Sequence, residues 1–97
     1  MILTGLAKQD FISFMCKTYP HIRWHEYDNM TDLMINALII EWFDSVGIYV
    51  NAISFNDNWK FIVDFVYQDR KYRTRQDALK FAITQANEIY NTRKSTN

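Results

Sequence analysis

Two histidines, His21 and His25, stand four residues apart, with Cys16 before them and Glu26 and Asp28 after. On a helix, that spacing lets two imidazoles hold zinc from one face. Pro20 and the polar run around the pair argue against a helix there, and the spacing specifies no third ligand. The histidines therefore read as surface or loop-packing residues, and no metal site is expected. A thiolate nucleophile needs an electropositive, partly open setting. Cys16 follows Phe14 and Met15 and reads instead as a small packing residue. Glu26 and Asp28 show no arrangement that separates an acid from a base. The chain has two glycines, too few for a glycine-rich phosphate loop, and it has neither a zinc ribbon nor a serine-nucleophile elbow. No catalytic residue and no cofactor are assigned, and the chain is expected not to be an enzyme.

Charge offers more. Arg70, Lys71, Arg73, Arg75 and Lys80 form the densest cluster, placed before and within the start of a final helix. Helix starts expose unpaired N–H groups, so bases there make an anion site, and phosphate backbone is one fitting ligand. The alternative is a solvated connection paired with Asp69, Asp77 and the acidic N-terminal half. Residues 1–58 hold three bases and seven acids, a net of −4, whereas residues 59–97 hold eight bases and four acids, a net of +4. That split is read either as internal pairing or as a basic patch for an acidic partner. Phe81 falls on the polar side of the last helix, near Asp77 and Glu88, as a contact point or as a ring covered by the chain termini. Ile62 and Val66 similarly lie opposite the aromatic positions of their strand.

These residues must be carried by a small set of elements. Thr4 can cap a first helix over about residues 4–18, with Ala7, Phe11, Phe14, Met15 and Thr18 along one face and Pro20 as its limit. Residues 21–36 read as a polar loop with a short extended piece at Ile22–Trp24. Residues 31–46 read two ways. A helix from Thr31 or Asn29 would put Met34, Ile35, Leu38, Ile39, Trp42 and Val46 on one face and stop at Gly47. A strand would use the β-branched and aromatic run from Leu38 to Phe43, with a turn at Asp44 to Gly47. The strand is preferred. Ile48 to Phe55 forms the next strand, and Asn56-Asp57-Asn58 suits a turn. From Trp59 to Tyr67 the alternation is strict, placing Trp59, Phe61, Val63, Phe65 and Tyr67 on a face expected to lie under helices. Thr74, with Asp77 three residues on, caps a last helix whose stripe is Leu79, Ala82, Ile83, Ala86, Ile89 and Tyr90. The tail from Arg93 is expected to fray.

The order is α-β-β-β-α, an α+β fold with a three-stranded antiparallel sheet and two helices packed on one face. The 97 residues are 48% hydrophobic, which suits one small domain over residues 1–97 and excludes a disordered chain. Zero net charge argues against a generally basic nucleic-acid coat or an acidic DNA mimic. A single cysteine permits no internal disulfide, so a reducing cytoplasm is the expected location. No apolar run approaches the roughly 18–20 residues of a membrane span, and no secretory signal opens the chain.

Two stretches carry a resemblance. Trp42-Phe43-Asp44-Ser45-Val46-Gly47-Ile48-Tyr49, and Thr74-Arg75-Gln76-Asp77-Ala78 with Ala86-Asn87-Glu88-Ile89-Tyr90-Asn91, resemble small uncharacterised proteins of Bacteroidetes genomes, their phages and mobile elements. The resemblance spans about the C-terminal two-thirds of the chain and implies no activity by itself. It does imply a class in which inhibitors of host proteins, anti-CRISPR proteins among them, are common. The element order also resembles a double-stranded-RNA-binding domain, with Arg73, Arg75 and Lys80 near the basic start of that family's last helix. The family's lysine cluster and its Gly-Pro-x-His loop are not reproduced here. The expected function is thus a non-enzymatic protein-binding module, a phage-type inhibitor of a bacterial defence nuclease, with Arg70, Lys71, Arg73, Arg75, Lys80 and Phe81 as its contact residues. The alternative is an RNA-binding module that uses the same bases on phosphates. The partner would be a larger protein, such as a nuclease carrying nucleic acid, and the chain itself a monomer or weak dimer.

Overall fold

A computed structural model describes residues 1–22 and 30–95. The elements are α1 (Gly5–Thr18), α2 (Asp32–Ser45), β1 (Val50–Phe55), β2 (Asn58–Val63), β3 (Val66–Tyr67) and α3 (Arg75–Ser95). The fold is α+β, with a three-stranded antiparallel meander ordered β1-β2-β3. Helix α3 packs on β1 and β2, and α1 and α2 pack against α3. One more helix is present than the sequence order implies.

That extra helix is the segment read preferentially as a strand. The Thr31 hydroxyl accepts a hydrogen bond from the Met34 amide at 3.3 Å and caps α2. At the other end Gly47, at φ +82°, closes it with two backbone bonds: Gly47 N–H to Asp44 C=O (3.2 Å) and Ile48 N–H to Phe43 C=O (2.9 Å). These are the paired bonds of a helix stopped by a left-handed residue. Ile35, Ile39, Trp42 and Phe43 are buried at helical spacing, whereas Leu33, Met34, Glu41 and Val46 are exposed. Helical burial with a good cap and a good stop outweighs the β propensity of the individual residues. The extended piece expected at Ile22–Trp24 runs into residues 23–29, outside the described residues, as do the Asn29 cap, His25, Glu26 and Asp28.

Helix α1 buries Ala7, Phe11 and Met15 as its pattern demands. Thr4 stands at its N-cap, but its side chain does not cap the helix. The cap comes from α3. Asn87 Oδ1 accepts from Thr4 N–H (2.9 Å), and Asn87 Nδ2 donates to the Thr4 hydroxyl (3.0 Å). Asn91 Oδ1 accepts from Ala7 N–H (2.7 Å), and Asn91 Nδ2 donates to Thr4 C=O (3.0 Å). Asn87 is buried, and these bonds satisfy its amide.

The core joins Phe11 and Phe43 to Trp42, whose ring centroid lies 6.0 Å and 4.8 Å from theirs, and Tyr90 adds another at 4.8 Å. From the sheet it takes Val50, Ala52, Phe61 and Val63. Thr74 caps α3 through Asp77 N–H at 3.1 Å, as expected. Helix α3 runs on to Ser95. Among the described residues, no helix is long and apolar enough to cross a membrane.

Candidate functional site: the outer face of the sheet

The alternating run from Trp59 to Tyr67 is not one strand. It breaks after Val63, and Asp64 (φ +55°) and Phe65 (φ +68°) form a two-residue turn into β3. Asn56 (φ +46°) and Asp57 (φ +64°) do the same between β1 and β2. Positive φ at both central residues is the turn whose twist matches antiparallel strands. The register pairs Val50 with Val63, Ala52 with Phe61 and Ser54 with Trp59 on the inner face. Asn51 with Ile62, Ile53 with Lys60, and Ile62 with Tyr67 lie on the outer face. Helices cover Phe61 and Val63, but the turn removes Phe65 and Tyr67 from beneath them, which corrects the expectation of one covered aromatic face.

The outer face consequently gathers rings in the open. Phe65 is 82% exposed and stacks on Tyr49, with centroids 5.2 Å apart and planes 6° apart. The Tyr49 hydroxyl accepts from Asn51 Nδ2 at 3.0 Å. Tyr67 and Phe55, both exposed, flank Lys60, whose Nζ sits 4.8 Å from the Phe55 centroid and 5.6 Å from that of Tyr67. Val66, the partner of Val63, is exposed on the opposite side of β3. The turn itself is pinned. Asp64 N–H donates to Tyr49 C=O (2.7 Å), and the Asp64 carboxylate accepts from Arg93 of α3 (2.5 Å). A bulky residue in the left-handed region is an outlier, of order 1–3 kcal/mol in cost, and such outliers point to function.

The basic segment is built differently from its sequence description. Tyr72 pairs with Trp59 through two backbone bonds, Trp59 N–H to Tyr72 C=O (2.8 Å) and Tyr72 N–H to Trp59 C=O (2.7 Å). The Tyr72 ring stacks on Phe81 at 5.1 Å, and the Arg70 guanidinium lies 5.5 Å from Tyr72 and 5.3 Å from Phe81. Phe81 is 41% exposed, with Tyr72 and Arg70 packed against its ring. Lys71, Arg73, Arg75 and Lys80 are exposed. Arg75 and Lys80 line the groove between α2 and α3. Among the described residues a single ion pair forms, Arg93 with Asp64, and it does not join the acidic half to the basic one.

Cys16 is exposed at the surface of α1, which corrects its reading as a packing residue. Among the described residues, no three His, Cys, Asp or Glu side chains gather as a metal site. The sequence reading missed Phe65, Tyr67, Tyr49 and Phe55 as surface groups. The available signal was length: nine alternating residues exceed the usual strand of about five or six, and Asp64 interrupts the apolar run. No protein-family profile, curated protein or solved structure matches the chain.

Proposed function

We propose that this protein is a small non-enzymatic binding module that docks on a larger protein through the outer face of its sheet, with Phe65 as the anchor. The observation that carries the reading is Phe65 itself. A large ring is held in a conformation that favours glycine or asparagine, it is almost fully exposed, and it is backed by Tyr49. Folding alone would select against the first two of these features, and the Tyr49 stack offsets only part of their cost. A rigid aromatic set beside Phe55 and Tyr67, with polar neighbours such as Asn51 and Lys60, is the composition of an interface hot spot.

The resemblance of residues 42–49, 74–78 and 86–91 to proteins of Bacteroidetes phages and mobile elements directs the search for the partner. We infer a bacterial defence nuclease of the CRISPR type, blocked by occlusion in the host cytoplasm. The test is capture from a Bacteroidetes lysate with active defence systems, after nuclease treatment, on immobilised wild type and on Phe65→Asn. One protein retained by wild type and lost with Phe65→Asn is expected. Equal retention on both would overturn the assignment of this face.

A second reading has its own observation. Arg70, Lys71, Arg73, Arg75 and Lys80 are exposed and form no ion pair among the described residues. An RNA-binding module would use them on phosphates, and its affinity would fall steeply with salt as counterions are released. A flat salt dependence removes that reading.

A further inference from the structure

β1 is an edge strand. β2 pairs with one side of it, and no described segment pairs with the other. Alternation fixes which main-chain groups are left over. Tyr49 C=O accepts from Asp64 N–H, one step beyond the Val50–Val63 pair, so Tyr49, Asn51, Ile53 and Phe55 bond towards β2. Val50, Ala52 and Ser54 then point their N–H and C=O groups outwards. Ala52 agrees with that direction: its N–H is taken by the side-chain Oδ1 of its own neighbour, Asn51, at 2.9 Å. Open edges are normally blunted by charge, proline or a bulge. β1 has none of these. Ser45 through Asn56 carry no charge and no proline, and the register against β2 is unbroken. The opposite edge, β3, is only two residues long.

We propose that β1 pairs with β1 of a second copy of this chain, antiparallel about a two-fold axis at Ala52, to make one continuous sheet from two molecules. In that register Ala52 faces its own copy and Val50 faces the partner's Ser54, each able to exchange both main-chain bonds with its opposite. On the outer face Asn51 meets the partner's Ile53, and Tyr49 meets the partner's Phe55, twice by symmetry. Both rings are exposed in the single chain, at 38% and 45%. Aromatic pairs directly across strands stabilise a sheet, and this match selects a second copy over an unrelated strand. A two-fold contact closes on itself, so a dimer results and not a fibre. The partner's Phe55 is thereby added beside the Tyr49–Phe65 stack, and the two outer faces join. The inference needs only the β1 edge and does not depend on Phe65 as an anchor.

The test uses the full chain. Sedimentation equilibrium from micromolar to millimolar concentration should show a reversible monomer–dimer equilibrium. In a one-to-one mixture of ¹³C-labelled and unlabelled protein, an intermolecular NOE from Asn51 Hα to the partner's Ile53 Hα is expected, because a non-hydrogen-bonded pair brings the strands closest. Ser54→Pro removes an outward N–H at an exposed edge position, and should keep the fold and weaken the dimer at least tenfold. Should that variant fail to fold, Phe55→Asn, also at an exposed position, should weaken the dimer at least tenfold. Three results would overturn the proposal. One is a chain still monomeric at millimolar concentration. Another is a dimer without the Asn51–Ile53 NOE. The last is a folded variant that dimerises as wild type does. Phe65→Asn should still dimerise, so loss of the docking face and loss of the edge contact are told apart.

Discussion

Phe65 and Tyr49 lie ring on ring, 5.2 Å apart and within 6° of parallel, although neither belongs to a regular strand. Phe65 is the second residue of a tight turn, and Tyr49 precedes β1. Asp64 N–H on Tyr49 C=O holds the two segments in register, so the stack is a property of the backbone as well as of the rings.

Phe65→Asn should make the protein more stable and the proposed interface weaker. Relief of left-handed strain is worth about 1–3 kcal/mol, while an aromatic pair contributes about 0.5–1.5 kcal/mol. The balance favours a gain of about 1 kcal/mol, or a rise of roughly 4–8 °C in Tm for a domain of this size. A fall in Tm would show that the turn is not strained by its phenylalanine.

Asn87→Ala should cost about 1–3 kcal/mol, because Thr4 N–H loses its acceptor inside a partly buried site. Urea denaturation is the measurement. An unchanged midpoint would mean that water replaces the amide at no cost.

Gly5→Ala tests the same junction from the other side. Gly5 is at φ +59°, and an added Cβ would stand 3.2 Å from Asn91 Nδ2. Left-handed strain of about 1–2 kcal/mol then adds to displacement of the amide that holds α1. Gly47→Ala, which meets nothing within 4 Å, should show the conformational part alone, so the two losses read against each other.

The hydroxyl of Tyr90 gives the fold an alkaline limit. Burial, followed by its hydrogen bond to Asp10 and the charge of that carboxylate, pushes its pKa up to about 12 from the ordinary 10.0. The folded state therefore holds this proton more tightly than the unfolded chain. That contribution is complete below pH 10.0 and is lost as pH rises towards about 12. Thermal melts from pH 8 to 12 should fall across that window, and Tyr90→Phe should flatten the fall.

Much of the framework was legible because local pattern and tertiary burial agree. The stripe Ala7, Phe11 and Met15 and the cap at Thr74 are examples. Residues 31–46 were not, since Ile39, Ile40, Trp42 and Phe43 favour strands one by one while their spacing buries them as a helix. The Asp64–Phe65 turn was hidden for a different reason. Turns with two left-handed residues usually announce themselves through Gly or Asn, and Phe65 conceals that requirement behind perfect alternation.

The bonds from Asn87 and Asn91 to Thr4 and Ala7 set an order of events. They span 83 to 87 residues, so α1 is finished by side chains synthesised long after it. A nascent chain ending before α3 lacks both asparagines and the helix on which α1, α2 and the sheet converge. Native packing must therefore wait until α3 has emerged, and such long-separation contacts slow folding.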